Sequence, residues 1–93
     1  MDFEEVLQII KNIVEDKFGE MIQKKAILPE DRLQEDLGLD SVHLVDLIVA
    51  LEDKFDIHFD PIDVDLTEVF RTIGSLTNYI MDYLSRTANS DKL

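Results

Sequence analysis

Residues 35–55 of the chain read EDLGLDSVHLVDLIVALEDKF, and they contain the clearest helix signal in the sequence. An acidic segment that contains Gly38 ends at Asp40, and the residues from Ser41 to Phe55 favour an α-helix. Asp40 is the predicted N-cap, because its carboxylate can accept a hydrogen bond from an amide of the first turn. The hydroxyl of Ser41 then lies on that turn, where backbone amides and the helix dipole stabilise anions such as an esterified phosphate.

The predicted helix is apolar over more of its surface than a single contact with a core requires. Its first apolar stripe follows helical spacing and contains Leu44, Leu47, Ile48, Leu51 and Phe55. A second stripe contains Val42, Val45 and Val49. The first stripe is expected to face the core. The second indicates either a helix that is buried more deeply than average or a surface that contacts a ligand or a partner protein.

Another helix and a long loop are predicted before Asp40. Residues 2–18 carry apolar side chains at helical spacing, namely Phe3, Val6, Leu7, Ile10, Ile13, Val14 and Phe18. Gly19 is the predicted stop of this helix. Residues 20–40 contain Pro29 and lack clear periodicity, which predicts a loop that is long for a compact domain. The loop residues expected to pin it to the core are Ile27, Leu28, Leu33 and Leu37.

Two further helices are predicted after Phe55. Asp65 and Glu68 have the spacing of a capping box, which predicts a short helix through Phe70. Thr72 is predicted to cap the last helix, whose inward-facing residues are Leu76, Tyr79, Ile80, Tyr83 and Leu84. We therefore predict an all-α fold, a small four-helix bundle of three longer helices and one short third helix, with a long loop between helices one and two.

Length and composition fit one small domain. The chain has 93 residues, of which 45% are hydrophobic, and this is enough for one compact core. We assign residues 1–84 to a single domain. The polar residues 85–93 are expected to form a disordered tail.

The chain is strongly acidic, with 21 acids against 9 Lys or Arg residues and a formal net charge of −12. This charge argues against binding to nucleic acids and to anionic membrane surfaces, and it favours partner proteins with basic docking surfaces. The acids concentrate around Ser41, because Lys54 is the only base between Asp36 and Glu68. The acids of that window are Asp36, Asp40, Asp46, Glu52, Asp53, Asp56, Asp60, Asp63, Asp65 and Glu68.

The sequence also restricts the cellular context. It contains no cysteine, which excludes structural disulfides and thiolate metal sites. No apolar run is long enough to cross a membrane, and the acidic start MDFEE, residues 1–5, is unlike a signal peptide. We expect a cytoplasmic protein without membrane insertion.

The pattern does not support a catalytic site. Ser41 and His43 are two residues apart on a predicted helix, so their side chains point about 200° apart and cannot form a nucleophile–base pair. His58 falls in a predicted loop, and the chain has no Gly-x-Ser-x-Gly motif. No catalytic residue is therefore assigned.

The acidic residues do not form a calcium-binding loop either. Such a loop needs a glycine at its sixth position. A loop that started at Asp36 would have Ser41 there, and one that started at Asp56 would have Pro61. No metal-binding residue is assigned.

The residues around Ser41 resemble the attachment motif of acyl carrier proteins. In that family the serine of an Asp-Ser-Leu triplet carries a 4′-phosphopantetheine arm, and here the triplet is Asp40-Ser41-Val42. The resemblance extends to Leu37-Gly38 upstream and, downstream, to Leu47, Ala50, Leu51-Glu52 and Phe55. It continues more weakly through residues 72–76 and 79–80, so that it covers most of residues 33–84.

The resemblance implies a stand-alone carrier protein and not an enzyme. A phosphopantetheinyl transferase would attach the arm from coenzyme A to Ser41, and acyl or aminoacyl groups would be held as thioesters on its terminal sulfur. Such a carrier presents these groups to the loading and condensing enzymes of fatty-acid, polyketide or nonribosomal peptide biosynthesis, or delivers D-alanyl groups for cell-wall decoration. The alternative is an acidic helical adaptor or regulatory subunit without a prosthetic group.

The resemblance also indicates how partners would recognise the chain. The candidate recognition residues are Asp40, Val42, Asp46, Val49, Glu52 and Asp53. Their acids are expected to steer basic docking surfaces, and their valines to contact a partner or an acyl chain. The carrier is expected to be a monomer that binds weakly, because a shuttle must leave each enzyme quickly. His43 and Leu44 depart from many fatty-acid carriers, which have an acid and a small hydroxyl residue there, so the cargo and the pathway stay open.

Overall fold

A computed structural model of the chain describes residues 2–22, 26–60 and 65–91. Its four α-helices are α1 (Phe3–Phe18), α2 (Ser41–Phe55), α3 (Leu66–Val69) and α4 (Ile73–Asp91). The predicted all-α bundle is confirmed, including the short third helix and the long loop between α1 and α2. None of the helices in the described ranges is long and apolar enough to cross a membrane.

The helix α1 is capped by Asp2 at its start and by Gly19 at its end. The carboxylate of Asp2 accepts the backbone N–H of Glu5 at 2.9 Å, which satisfies one amide of the first turn. At the other end Gly19 is the C-cap, as predicted, although its backbone stays right-handed with φ −56°. The buried face of α1 packs against α2 and α4 and consists of Val6, Leu7, Ile10, Val14 and Phe18.

The long loop is held in place by its apolar side chains. Ile27, Leu33 and Leu37 are buried as predicted, with at most 3% of their surface exposed. Leu28 was expected to join them, but it is 42% exposed, and Leu39 is buried in addition. Leu28 lies in a turn in which its N–H donates to Oδ2 of Asp31 at 2.8 Å, and this turn leaves its side chain outside the core.

Backbone hydrogen bonds join the same loop to the start of α4. The N–H of Ile73 donates to the carbonyl of Asp31 at 3.0 Å, and the N–H of Gly74 donates to the carbonyl of Pro29 at 2.7 Å. A Cβ atom on residue 74 would lie 3.0 Å from that carbonyl oxygen, so a glycine suits this close approach. The loop thus satisfies amides that every helix leaves unpaired in its first turn.

Asp65 caps the start of α3 and Thr72 caps the start of α4, as predicted. Oδ1 of Asp65 accepts the amides of Thr67 and Glu68, although the carboxylate of Glu68 pairs with Arg71 and does not return to the cap. Thr72 and Ser75 bond reciprocally at the start of α4, each side-chain oxygen accepting the other residue's N–H.

The helix α4 extends past residue 84. Residues 85–91, which we assigned to a disordered tail, continue the helix to Asp91. This segment contains no glycine or proline to stop a helix, and Arg86 pairs with Asp82 one turn earlier. The last two residues of the assigned tail lie outside the described residues.

Candidate functional site

The amino end of α2 is organised by two residues that bond to each other. Oδ1 of Asp40 accepts the N–H of His43 at 3.0 Å, and the N–H of Asp40 donates to Nδ1 of His43 at 3.2 Å. Asp40 is therefore the N-cap, as predicted, and His43 completes a capping box in the position that Glu or Gln commonly occupies. Sequence reasoning missed this role of His43, although its place three residues after the cap was a signal.

His43 also contacts the end of α1. Its imidazole ring lies edge-on against the ring of Phe18, with a centroid distance of 5.4 Å and an interplanar angle of 72°. This geometry is favourable for a pair of aromatic rings. The first turn of α2 is thus attached to a second helix as well as capped.

Ser41 is exposed on this fixed first turn. Among the residues that the structure describes, none forms a hydrogen bond with its hydroxyl. The first-turn amides of Ser41 and Val42 have no acceptor within the helix, because their partners would precede it. The turn contains no acidic side chain. These features fit a residue that carries an esterified phosphate, since nearby amides and the positive helix end favour the anion.

A cleft of about 410 Å³ opens beside Ser41. The α2 side is formed by Ser41, Leu44, Val45 and Ile48, the α3 side by Leu66, Thr67, Phe70 and Arg71, and the loop side by Arg32, Gln34 and Glu35. Its apolar residues come from two different helices and the turn after α3, so only the folded chain assembles it. Sequence reasoning had not identified the cleft.

Charged pairs surround the mouth of this cleft. Arg32 contacts both Glu35 and Asp36, and Arg71 pairs with Glu68. The pKa of the Arg32 guanidinium is raised, chiefly by its hydrogen bond to Asp36. The rim of the cleft therefore carries arginines that are paired with neighbouring acids, whereas the interior is apolar.

The second apolar stripe of α2 is exposed. Val42, Val45 and Val49 are 69%, 59% and 60% exposed, so the possibility of a deeply buried helix is excluded. Val45 lines the cleft, whereas Val42 and Val49 do not. The stripe thus divides into one residue that can touch a group in the cleft and two that face outward.

The predicted acidic recognition residues are in different environments. Asp46 and Asp53 are exposed and seven residues apart, which places them on one face of α2 with Val42 and Val49. Asp40 is exposed but is used as the cap. Glu52 is half-buried, and its Oε2 accepts the N–H of Phe59 at 2.8 Å.

Neither histidine is placed to act as a base for Ser41. Nδ1 of His43 is directed at Asp40, and Nδ1 of His58 lies 3.2 Å from Oε2 of Glu52. In the described parts of the chain, no group of three or more His, Cys, Asp or Glu side chains is placed to hold a metal ion.

Comparisons with known proteins agree on one family. Residues 8–80 match the family model described as phosphopantetheine attachment site. The chain is similar to the acyl carrier protein of Thermotoga maritima, with 35% identity over 77 residues that cover 83% of this chain and 89% of the relative. It is 36% identical over 80 residues to that of Karelsulcia muelleri, covering 86% and 90% of the two chains. It is 31% identical over 87 residues to that of Cyanidium caldarium, covering 94% and 95%.

Proposed function

Because this chain belongs to the acyl carrier protein family, and so carries a covalently attached 4′-phosphopantetheine arm, we propose that the arm is attached to Ser41. The observation that carries this proposal is the exposed hydroxyl of Ser41 on the capped first turn of α2, at the rim of the cleft. It also lies in the Asp-Ser-Val triplet that resembles the attachment motif.

The surrounding residues have the properties that an attachment site needs. Asp40 and His43 hold the first turn through two mutual hydrogen bonds, which gives the hydroxyl of Ser41 a defined position. The unpaired amides of the turn favour a phosphate there, with a stabilisation of about 0.3–1 kcal/mol at an exposed helix end. When attached, the arm supplies a terminal thiol that holds acyl or aminoacyl groups as thioesters.

The protein itself is proposed not to be an enzyme. His43 faces Asp40, so a base that accepts the proton of the Ser41 hydroxyl has to be supplied by the phosphopantetheinyl transferase. The carrier contributes a fixed attachment point and a recognition surface, and its partner enzymes contribute the catalytic groups.

The cleft beside Ser41 is suited to shelter the apolar part of a carried group. Leu44, Ile48, Leu66 and Phe70 line it, and Ser41 lies at its rim, so a group tethered there can enter it. We propose that apolar cargo spends part of its time in this cleft, because burial of each methylene favours the sheltered state by about 0.8 kcal/mol.

Partner enzymes are proposed to dock on the exposed side of α2. Val42 and Val49 offer an apolar contact, and Asp46 and Asp53 flank it with negative charge on the same face. Such a surface complements the basic docking surfaces of loading and condensing enzymes in fatty-acid, polyketide or nonribosomal peptide biosynthesis. Leu44 lines the cleft at the position where fatty-acid carriers usually have a small hydroxyl residue, which favours a carrier of a specialised pathway.

Intact-mass measurement tests the attachment site. Incubation of the purified protein with coenzyme A and a broad-specificity transferase should add one phosphopantetheinyl group. Ser41→Ala should abolish the addition with unchanged helical circular dichroism, whereas the matched control Ser85→Ala, which alters an exposed serine of α4, should be loaded like the wild type. Addition to the Ser41→Ala variant would assign the arm to another residue. Complete absence of loading would favour an adaptor without a prosthetic group.

A further inference from the structure

A contact at the carboxyl end of α2 distinguishes Glu52 from the exposed acids of the helix. Its Oε2 accepts the backbone N–H of Phe59 at 2.8 Å and lies 3.2 Å from Nδ1 of His58. The side chain of Glu52 is 28% exposed, whereas its neighbour Asp53 is exposed to solvent. An ionised acceptor makes a stronger hydrogen bond than a neutral one. The carboxylate therefore anchors the segment that follows α2.

The anchored residue Phe59 is part of an aromatic cluster that reaches the cleft. The ring of Phe59 lies 5.3 Å from the ring of Phe70 and is stacked at 5.5 Å on that of Tyr79. Phe59 and Phe70 are each only 4% exposed. Phe70 lines the cleft that Ser41 borders. A continuous series of contacts thus runs from Glu52 through Phe59 to the wall of the cleft.

We propose that Glu52 is a positioning residue for the cleft and not a docking contact for partner enzymes. By holding Phe59, its carboxylate keeps Phe70 in the wall and limits the access of water to a group tethered in the cleft. This inference rests on the proposed function, because it takes the cleft to shelter cargo attached through Ser41. Docking is left to Asp46 and Asp53, which are exposed.

Hydrogen exchange in the unloaded protein tests the anchor independently of any cargo. In the Glu52→Ala variant the N–H of Phe59 loses a charged acceptor, so its exchange should become about tenfold faster. Asp53→Ala is the matched control, since it removes a neighbouring carboxylate that is exposed, and it should leave the exchange of that amide unchanged. Equal exchange in Glu52→Ala and wild type would overturn the proposal.

Hydrolysis of a loaded thioester tests the consequence for the cleft. Wild type, Glu52→Ala and Asp53→Ala would each be loaded with an octanoyl-phosphopantetheinyl group from octanoyl coenzyme A, and release of octanoate would be followed. The Glu52→Ala thioester should hydrolyse at least about twofold faster than the other two, as expected for a less protected cargo. Equal rates in all three would show that Glu52 does not position the cleft wall. Failure of every variant to load would instead refute the proposed function, and the exchange result would stand.

The conservative variant separates positioning from docking. Glu52→Gln removes the charge but keeps an oxygen that can accept the N–H of Phe59. It should restore slow amide exchange and slow hydrolysis, and it should raise the KM of loading less than Asp53→Asn does. A KM increase that equals or exceeds that of Asp53→Asn would assign Glu52 to the docking surface and overturn the proposal. If Glu52→Ala loses its helical circular dichroism, the comparison of Glu52→Gln with Asp53→Asn decides between positioning and docking.

Discussion

The two ends of α2 use similar residues for different purposes. At the amino end, Asp40 and His43 bond to each other and leave Ser41 exposed. At the carboxyl end, Glu52 bonds to a residue seven positions away and fixes the segment that carries Phe59. Under the proposals above, the first end presents a group to other proteins, and the second supports a wall of the cleft. Acids on one helix thus cannot be assigned a common role from their charge.

The largest change in the free energy of unfolding is expected at the carboxyl end of α2. Phe59→Ala removes a buried ring that contacts two others, so the free energy of unfolding should fall by about 3–5 kcal/mol. Val49→Ala on the exposed side of α2 should change it by no more than about 0.5 kcal/mol. Urea unfolding followed by circular dichroism measures both. Similar values for the two variants would show that the Phe59 cluster does not anchor this end.

A smaller loss of stability is expected at the amino end. Asp40→Ala removes the side-chain half of the capping box and should lower the free energy of unfolding by about 1 kcal/mol. It should also slow the loading of Ser41, because the first turn becomes less well defined. Asp46→Ala, which removes an exposed acid nearly two turns later, is the control for stability. If both variants unfold at the same urea concentration, the cap contributes nothing measurable.

The exposed acids of α2 should affect loading without affecting stability. Charge reversal in the double variant Asp46→Lys/Asp53→Lys should slow transferase loading by about three- to tenfold at low salt, since it opposes electrostatic steering. The defect should shrink at high salt, where the charges are screened. A defect of equal size at both salt concentrations would count against steering. The midpoint of urea unfolding serves as the control for folding.

The smallest expected effect is a change in the titration of Tyr79. Burial raises the pKa of this phenol above its ordinary value, and the stacked Phe59 ring contributes to that environment. A Tyr83→Phe variant leaves Tyr79 as the only tyrosine, so its ionisation can be followed by ultraviolet absorbance. Because the pKa is raised in the folded state, the stabilising contribution of the neutral phenol is lost as the pH rises through that pKa.

Adding Glu52→Ala to the Tyr83→Phe variant tests whether the environment of Tyr79 depends on the anchor at the carboxyl end of α2. If Glu52 holds Phe59 against Tyr79, its removal should lower the pKa of Tyr79 toward the ordinary value. An unchanged titration would mean that the aromatic cluster does not depend on the carboxylate.

The helices, the N-cap Asp40 and the place of Ser41 on the first turn of α2 could be predicted from the sequence, because helical periodicity and capping depend on residues within one turn of each other. The sequence also carried the family resemblance that the comparisons confirm. The sequence did not predict that a turn directs the side chain of Leu28 outward, or that the last helix continues beyond residue 84.

Contacts between residues of different elements are visible only in the folded chain. The contact of His43 with Phe18, the bond from Glu52 to Phe59 and the cleft between α2 and the turn after α3 join residues from different elements. Such contacts depend on how the helices pack and not on spacing along one helix. For this reason the sequence identified the acids of α2 but could not distinguish the exposed ones from Glu52, which holds the protein's own backbone.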